Sequence, residues 1–122
     1  MAKILIIEDD PSISRLYFSI FAQKGYEVDV AKDGEEGLLK VKNSPPTLIL
    51  LDIMMPKMNG MEVLDHLKSD AMTKAIPVVV VTNLASDKDA ETALEKGALQ
   101  YITKSDYDPQ QLVAMVEKIL TG

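Results

Sequence analysis

The sequence predicts an α/β fold in which a five-stranded parallel sheet is covered by helices on both faces. Three observations carry that expectation. Short apolar runs alternate five times with segments whose apolar residues recur every three to four positions. The runs are nearly continuous in apolar character, which suits strands buried on both faces. Turn and capping residues stand between them at the places where successive β-α units need them. Crossovers in such a sheet are right-handed. By analogy with other doubly wound folds, five strands favour the flavodoxin-like order 2-1-3-4-5.

Each element has its own justification. KILII (3–7) is the first strand. Asp10 follows as N-cap, with Pro11 at the first helical position, where a missing N–H costs nothing. Ile13, Leu16, Tyr17, Ile20 and Phe21 repeat at helical spacing and predict one buried face, and Gly25 stops that helix. EVDVA (27–31) reads as a half-buried strand, and Asp33-Gly34 turns into a second helix with Gly37, Leu38 and Val41 inward. Asn43 to Pro46 break it, and TLILL (47–51) is the third strand. After the loop DIMMPKMNG (52–60), a third helix carries Val63, Leu64 and Leu67. PVVVV (77–81) is the fourth strand, ending at Thr82. Ser86 caps a fourth helix bearing Ala90, Ala93 and Leu94, which Gly97 stops. LQYIT (99–103) is the fifth strand, followed by Lys104. Asp108, Pro109 and Gln111 form a capping-box pattern before Leu112, Met115, Val116, Ile119 and Leu120.

Bulk properties narrow the function. At 122 residues, with 47% hydrophobic and 26% charged residues, the chain reads as one domain spanning 1–122 with a core of its own. Thirteen basic against nineteen acidic residues give a net charge of −6, which opposes a phosphate-binding nucleic-acid surface. The absence of cysteine removes disulfides and thiolate metal sites and suits a reducing, cytoplasmic setting. No apolar run is long enough to cross a bilayer, so no membrane role is expected.

In a parallel sheet all C-terminal strand ends share one edge, where ligands usually bind. Here those ends deliver Glu8 and Asp9, then Asp52, Thr82 and Lys104. Two carboxylates ~5 Å apart at an effective dielectric of ~20 repel by roughly 3 kcal/mol, so three together call for a cation or for protons. Lys104 neutralises only part of the charge. A hard divalent ion such as Mg²⁺ takes carboxylate, water and phosphate oxygens, so the cluster reads as a magnesium site open toward a phosphate. Thr82 is placed to hydrogen-bond a phosphoryl oxygen and Lys104 to offset its charge. No glycine-rich nucleotide cradle is present, which points instead to a phosphoryl group attached to a carboxylate of the protein.

IIEDD (6–10), LLDIMMPKMNG (50–60), VVTN (80–83) and YITK (101–104) stand in the order and spacing of response regulator receiver domains. The chain resembles that family over essentially its whole length, in the manner of a chemotaxis-regulator-like single domain. The resemblance implies that Asp52 accepts a phosphoryl group and that Asp9 binds Mg²⁺ directly, with Glu8 acting through water and the Met54 backbone carbonyl as a further ligand. It implies that Thr82 and Lys104 contact the phosphoryl group and that Tyr101 is the switch aromatic. It also implies a histidine kinase or histidine phosphotransfer protein as donor, and a downstream protein that docks on the face of helix 4, strand 5 and helix 5. The state implied is a monomer or a phosphorylation-dependent dimer. Asp10 lies outside the acidic pair and is read as a helix cap.

Two positions depart from the family pattern. Ser105 stands where proline usually follows the lysine, leaving either a trans loop of different shape or a strained one. Asn83 replaces a commonly small residue after the threonine. Plainer readings stand beside these: Asp52 as a turn residue, Thr82 as an ordinary strand end, Tyr101 as a core-edge aromatic. Met54, Met55, Met58 and Met61 read as adaptable packing, and His66 has no assigned role. Two rival functions remain. A Mg²⁺-dependent phosphohydrolase would want an acid two residues after its nucleophile, where this chain has Met54. An interaction module that is never phosphorylated is motivated by Asn83 and Ser105.

Overall fold

The computed structural model describes residues 2–122 and places the five apolar runs in one parallel sheet of order β2-β1-β3-β4-β5, as expected. The elements are β1 (Lys3–Ile7), α1 (Pro11–Gln23), β2 (Glu27–Ala31), α2 (Gly34–Asn43) and β3 (Leu48–Leu51). They continue with α3 (Gly60–Ser69), β4 (Val78–Thr82), α4 (Asp87–Glu95), β5 (Gln100–Thr103) and α5 (Pro109–Thr121). β1 lies between β2 and β3, with Ile4 opposite both Val28 and Leu48. The register continues with Ile49 opposite Val78 and Val80 opposite Tyr101.

Alternate side chains of each strand point to opposite faces, and the continuous apolar runs therefore feed two cores. Leu5, Ile7, Ile49, Leu51, Val78 and Val80 meet Val41 of α2, Val63 and Leu67 of α3 and Ala93 of α4. Ile4, Ile6, Leu48, Leu50, Val79 and Val81 meet Tyr17 and Phe21 of α1 and Leu112 and Val116 of α5. Each fully buried aliphatic side chain contributes about 1.5–3 kcal/mol, enough to hold the strand ends rigidly.

The helix starts follow the capping chemistry. Asp10 accepts from Ser12 N, Asp33 from Glu36 N and Ser86 from Asp89 N, while Asp108 and Gln111 complete a capping box. A second capping box, Asn59 with Glu62, opens α3 where the sequence suggested only a loop.

Three expectations about packing need correction. Leu16 is exposed because the sheet-facing stripe of α1 centres on Ser14, Tyr17 and Phe21, and Leu16 lies about 100° round the helix from Tyr17. Leu94 is exposed for the same reason, since Ala93 is the buried residue of α4. Met54 is not packing material: it is 55% exposed, whereas Met55 is buried and Met58 and Met61 lie against the core. Among the described residues no helix is long and apolar enough to cross a membrane.

Candidate functional site

The backbone ladder runs past the strand ends and fixes the residues beyond them. Glu8 N donates to Ala31 O at 3.0 Å, Asp52 N to Ile7 O at 3.0 Å, and Lys104 N to Thr82 O at 2.8 Å. Glu8 and Asp52 are thereby held almost out of solvent, at 4% and 6% exposure, while Asp9 stays exposed. Glycine is required behind Asp52, because a Cβ on Gly60 would overlap the Asp52 carbonyl oxygen and stand 2.6 Å from Ile53 Cα. Gly60 N donates to Ile53 O at 2.9 Å and closes that loop.

Glu8, Asp9 and Asp52 each offer a carboxylate oxygen, and these oxygens all lie within 4.8 Å of one another. Lys104 Nζ stands 2.7 Å from Glu8 Oε1 and 3.5 Å from Asp52 Oδ2. Asp10 N donates to Glu8 Oε2 at 3.1 Å, and Met54 N donates to Asp52 Oδ1 at 3.2 Å. A cavity of about 250 Å³ opens over the group, lined by Glu8, Asp9, Asp10, Asp52, Met54, Asn83 and Lys104. Hard oxygen donors converging at one open point fit a small divalent cation by donor chemistry.

The charges are in tension. Burial, aided by the Asp52 charge, pushes the Glu8 carboxyl from 4.5 up to about 7, against the lowering effect of the Lys104 hydrogen bond. Burial alone would lower the Lys104 ammonium, but its bond to Glu8 and the charges of Asp52 and Glu8 outweigh that and raise it. One lysine therefore serves two carboxylates and satisfies neither fully.

The structure thus gathers Glu8, Asp9, Asp52, Met54 and Lys104. Thr82 is fully buried beside them but does not line the cavity, and its hydroxyl accepts from Leu84 N at 3.3 Å. Tyr101 stands apart and donates its hydroxyl to Leu84 O. Leu84 is therefore a bridge between the two that no residue pattern announced. Asn83 lines the site, as its position suggested, and Asp10 both caps α1 and faces the cavity. Among the described residues no peptide bond is cis, so Ser105 follows Lys104 through a trans bond. His66 is exposed on α3, away from this cavity.

Comparison with known proteins agrees with this geometry. The family model described as "Response regulator receiver domain" matches residues 4–117. The chain is 38% identical over 98% of its length to the DNA-binding dual master transcriptional regulator RpaA of Synechocystis, covering 49% of that protein. It is 33% identical to Protein PilH of Pseudomonas aeruginosa over the full length of both. The chain spans about half the length of the curated transcriptional regulators it matches. Among solved structures, a CheY-like receiver domain protein from Methanospirillum hungatei superposes with a TM-score of 0.92 at 32% identity, over 99% of this chain and 94% of that one.

Proposed function

The chain belongs to the response regulator receiver domain family of two-component systems, and we propose from that premise that it is a switch charged by phosphorylation of Asp52. The observation that carries this reading is the convergence of Glu8, Asp9 and Asp52 to within 4.8 Å, with Lys104 shared between Glu8 and Asp52. Receiver domains are signalling domains, and the donor we propose is a histidine kinase or a histidine phosphotransfer protein. We place the domain in the cytoplasm, where such donors act.

In this reading an oxygen of Asp52 attacks the phosphorus of a phosphohistidine in line, the P–N bond breaks, and the imidazole leaves with its electron pair. Mg²⁺, held by Glu8, Asp9, Asp52 and the Met54 carbonyl, would supply charge neutralisation for the incoming phosphoryl oxygens. Lys104 is already aimed at Asp52 and moves toward the new group, which carries about two negative charges. Thr82 gives up its bond from Leu84 N and turns its hydroxyl to a phosphoryl oxygen. Leu84 is released, Tyr101 loses its acceptor, and α4, β5 and α5 settle into a second arrangement. A gap of a few kcal/mol between the two arrangements is sufficient for such a switch.

The test is incubation with a small acyl-phosphate donor and Mg²⁺, followed by intact-mass spectrometry. One added phosphoryl group is expected on the native chain and none on Asp52→Ala. Undiminished labelling of Asp52→Ala would refute the assignment.

A further inference from the structure

A second concavity lies between α2 and α3, at the edge of the sheet remote from Asp52. The two helices touch at their first turns, where a Cβ on Gly34 would stand 2.7 Å from Val63 Cγ2 and 3.0 Å from the Met58 carbonyl oxygen. Their later turns part, and a cavity of about 360 Å³ opens there. Leu38 and Val41 of α2, Pro45 of the loop that follows and Leu67 of α3 line it. It shares no lining residue with the cavity over Glu8 and Asp52. Apolar concavities of this size are typical of small-ligand sites.

Thr73, Asp70, Lys42 and Met72 complete the lining, and their bonds decide what the cavity can take. The Thr73 hydroxyl spends its proton on Leu67 O at 2.6 Å. Asp70 Oδ1 accepts from Met72 N at 2.9 Å, and the Asp70 carbonyl accepts from Thr73 N and Lys74 N, so Asp70 caps its own loop. Lys42 is different. Lys3, Lys40, Lys68, Lys96 and Lys104 are each bonded to a hydroxyl, carboxylate or carbonyl oxygen. Among the described residues Lys42 enters no ion pair. The apolar cavity thus carries one uncommitted cation. Met72 is 85% exposed at the rim, a flexible thioether able to fold over a seated molecule.

We propose that this cavity binds a small amphiphilic monocarboxylate, with its chain or ring among Leu38, Val41, Leu67 and Met72 and its carboxylate on Lys42. One ammonium matches one carboxylate, whereas a phosphate would want more donors than this lining offers. A cationic amphiphile would be repelled by Lys42 and would find Asp70 already serving Met72 N. Burial of the apolar body supplies most of the affinity. For so small a ligand a Kd of about 0.1–1 mM is expected. The inference goes beyond the switch at Asp52 and does not rest on it, since binding is measured on the unmodified chain.

The probes are octanoate, octanol and octylammonium, each below its micelle concentration, followed by methyl chemical shifts of the full chain. Octanoate should shift Leu38, Val41, Leu67 and Met72 in a saturable way and bind more tightly than the other two. Lys42 is exposed, so its variants should keep the fold. Lys42→Gln should weaken octanoate by about tenfold, the worth of a charged hydrogen bond, and leave octanol unchanged. Lys42→Glu should reverse the preference in favour of octylammonium. Octylammonium or octanol binding the native chain as tightly as octanoate would overturn the proposal. So would octanoate shifts that fail to saturate or fall outside this cavity, or undiminished octanoate binding by Lys42→Gln.

Discussion

Stability of the metal-free protein should fall as pH rises from 5 to 8, and Glu8 is the cause. Its carboxyl titrates near 4.5 in an unfolded chain and at about 7 in the fold. Between those values the native state holds a proton that the unfolded state has released. Raising the pH therefore favours unfolding: the contribution is fully present below 4.5 and is lost as pH climbs through about 7. At ~1.4 kcal/mol per pH unit between 4.5 and about 7, the loss is about 3 kcal/mol. Glu8 is 4% exposed, so solvent does little to screen the effect. Lys104 is also raised, and its contribution disappears only at alkaline pH, outside this window.

The assay is urea unfolding with a chelator present at pH 5, 6, 7 and 8. For a domain of this size, about 3 kcal/mol corresponds to a melting temperature lower by roughly 10 °C. Glu8→Gln removes the titration and should flatten the profile. A native profile flat from pH 5 to 8, or a Glu8→Gln profile with the native slope, would refute the reasoning.

Other expectations follow from the same geometry. Lys104→Met leaves Glu8 buried beside Asp52 without its cation and should cost about 3 kcal/mol at pH 8, and less at pH 5, where Glu8 holds a proton; urea midpoints at the two values check this. Mg²⁺ should raise the melting temperature of the native chain by mass action, and Asp9→Ala should lose most of that rise in differential scanning fluorimetry. Gly60→Ala pushes a methyl group into the Asp52 backbone and should cost about 2–3 kcal/mol by urea unfolding, while slowing phosphoryl labelling. Lys57 has φ 67°, and Lys57→Gly should relieve that left-handed backbone and raise stability by about 0.5–1 kcal/mol in the same assay.

Much of this was legible in the sequence because the deciding signals are local. β-branched runs, N-caps and helix-stopping glycines each act within a few residues, and the parallel order brings their C-terminal ends to one edge. That is why Glu8, Asp9, Asp52 and Lys104 could be placed together although Glu8 and Lys104 are 96 positions apart. Side-chain rotation about a helix was less legible. Leu16 and Leu94 satisfy the apolar spacing, yet the stripe that meets the sheet is narrower than the spacing rule allows. Met54 also fits the apolar pattern, since a methionine beside apolar neighbours looks like packing, yet its side chain is exposed while its backbone N–H donates to Asp52 Oδ1. The bridging role of Leu84 left no trace in the residue pattern, since it is played by its backbone N–H and C=O rather than by its side chain.

The unequal sharing of Lys104 gives the proposed switch its direction of response. The ammonium sits closer to Glu8, at 2.7 Å, than to Asp52, at 3.5 Å. A divalent ion bound among the carboxylates would offset the burial and the Asp52 charge that now lift the Glu8 carboxyl toward neutrality, and Glu8 would need the lysine less. A doubly charged group on Asp52 would then compete for the same ammonium from the other side. Lys104 is tied to that neighbourhood through its backbone: its N–H is bonded to the carbonyl of Thr82, the residue whose hydroxyl holds Leu84. A change of charge at Asp52 thus bears on the ends of β4 and β5 together. Strand ends anchored in two rigid cores can transmit such a pull, whereas the same residues on a mobile loop would absorb it.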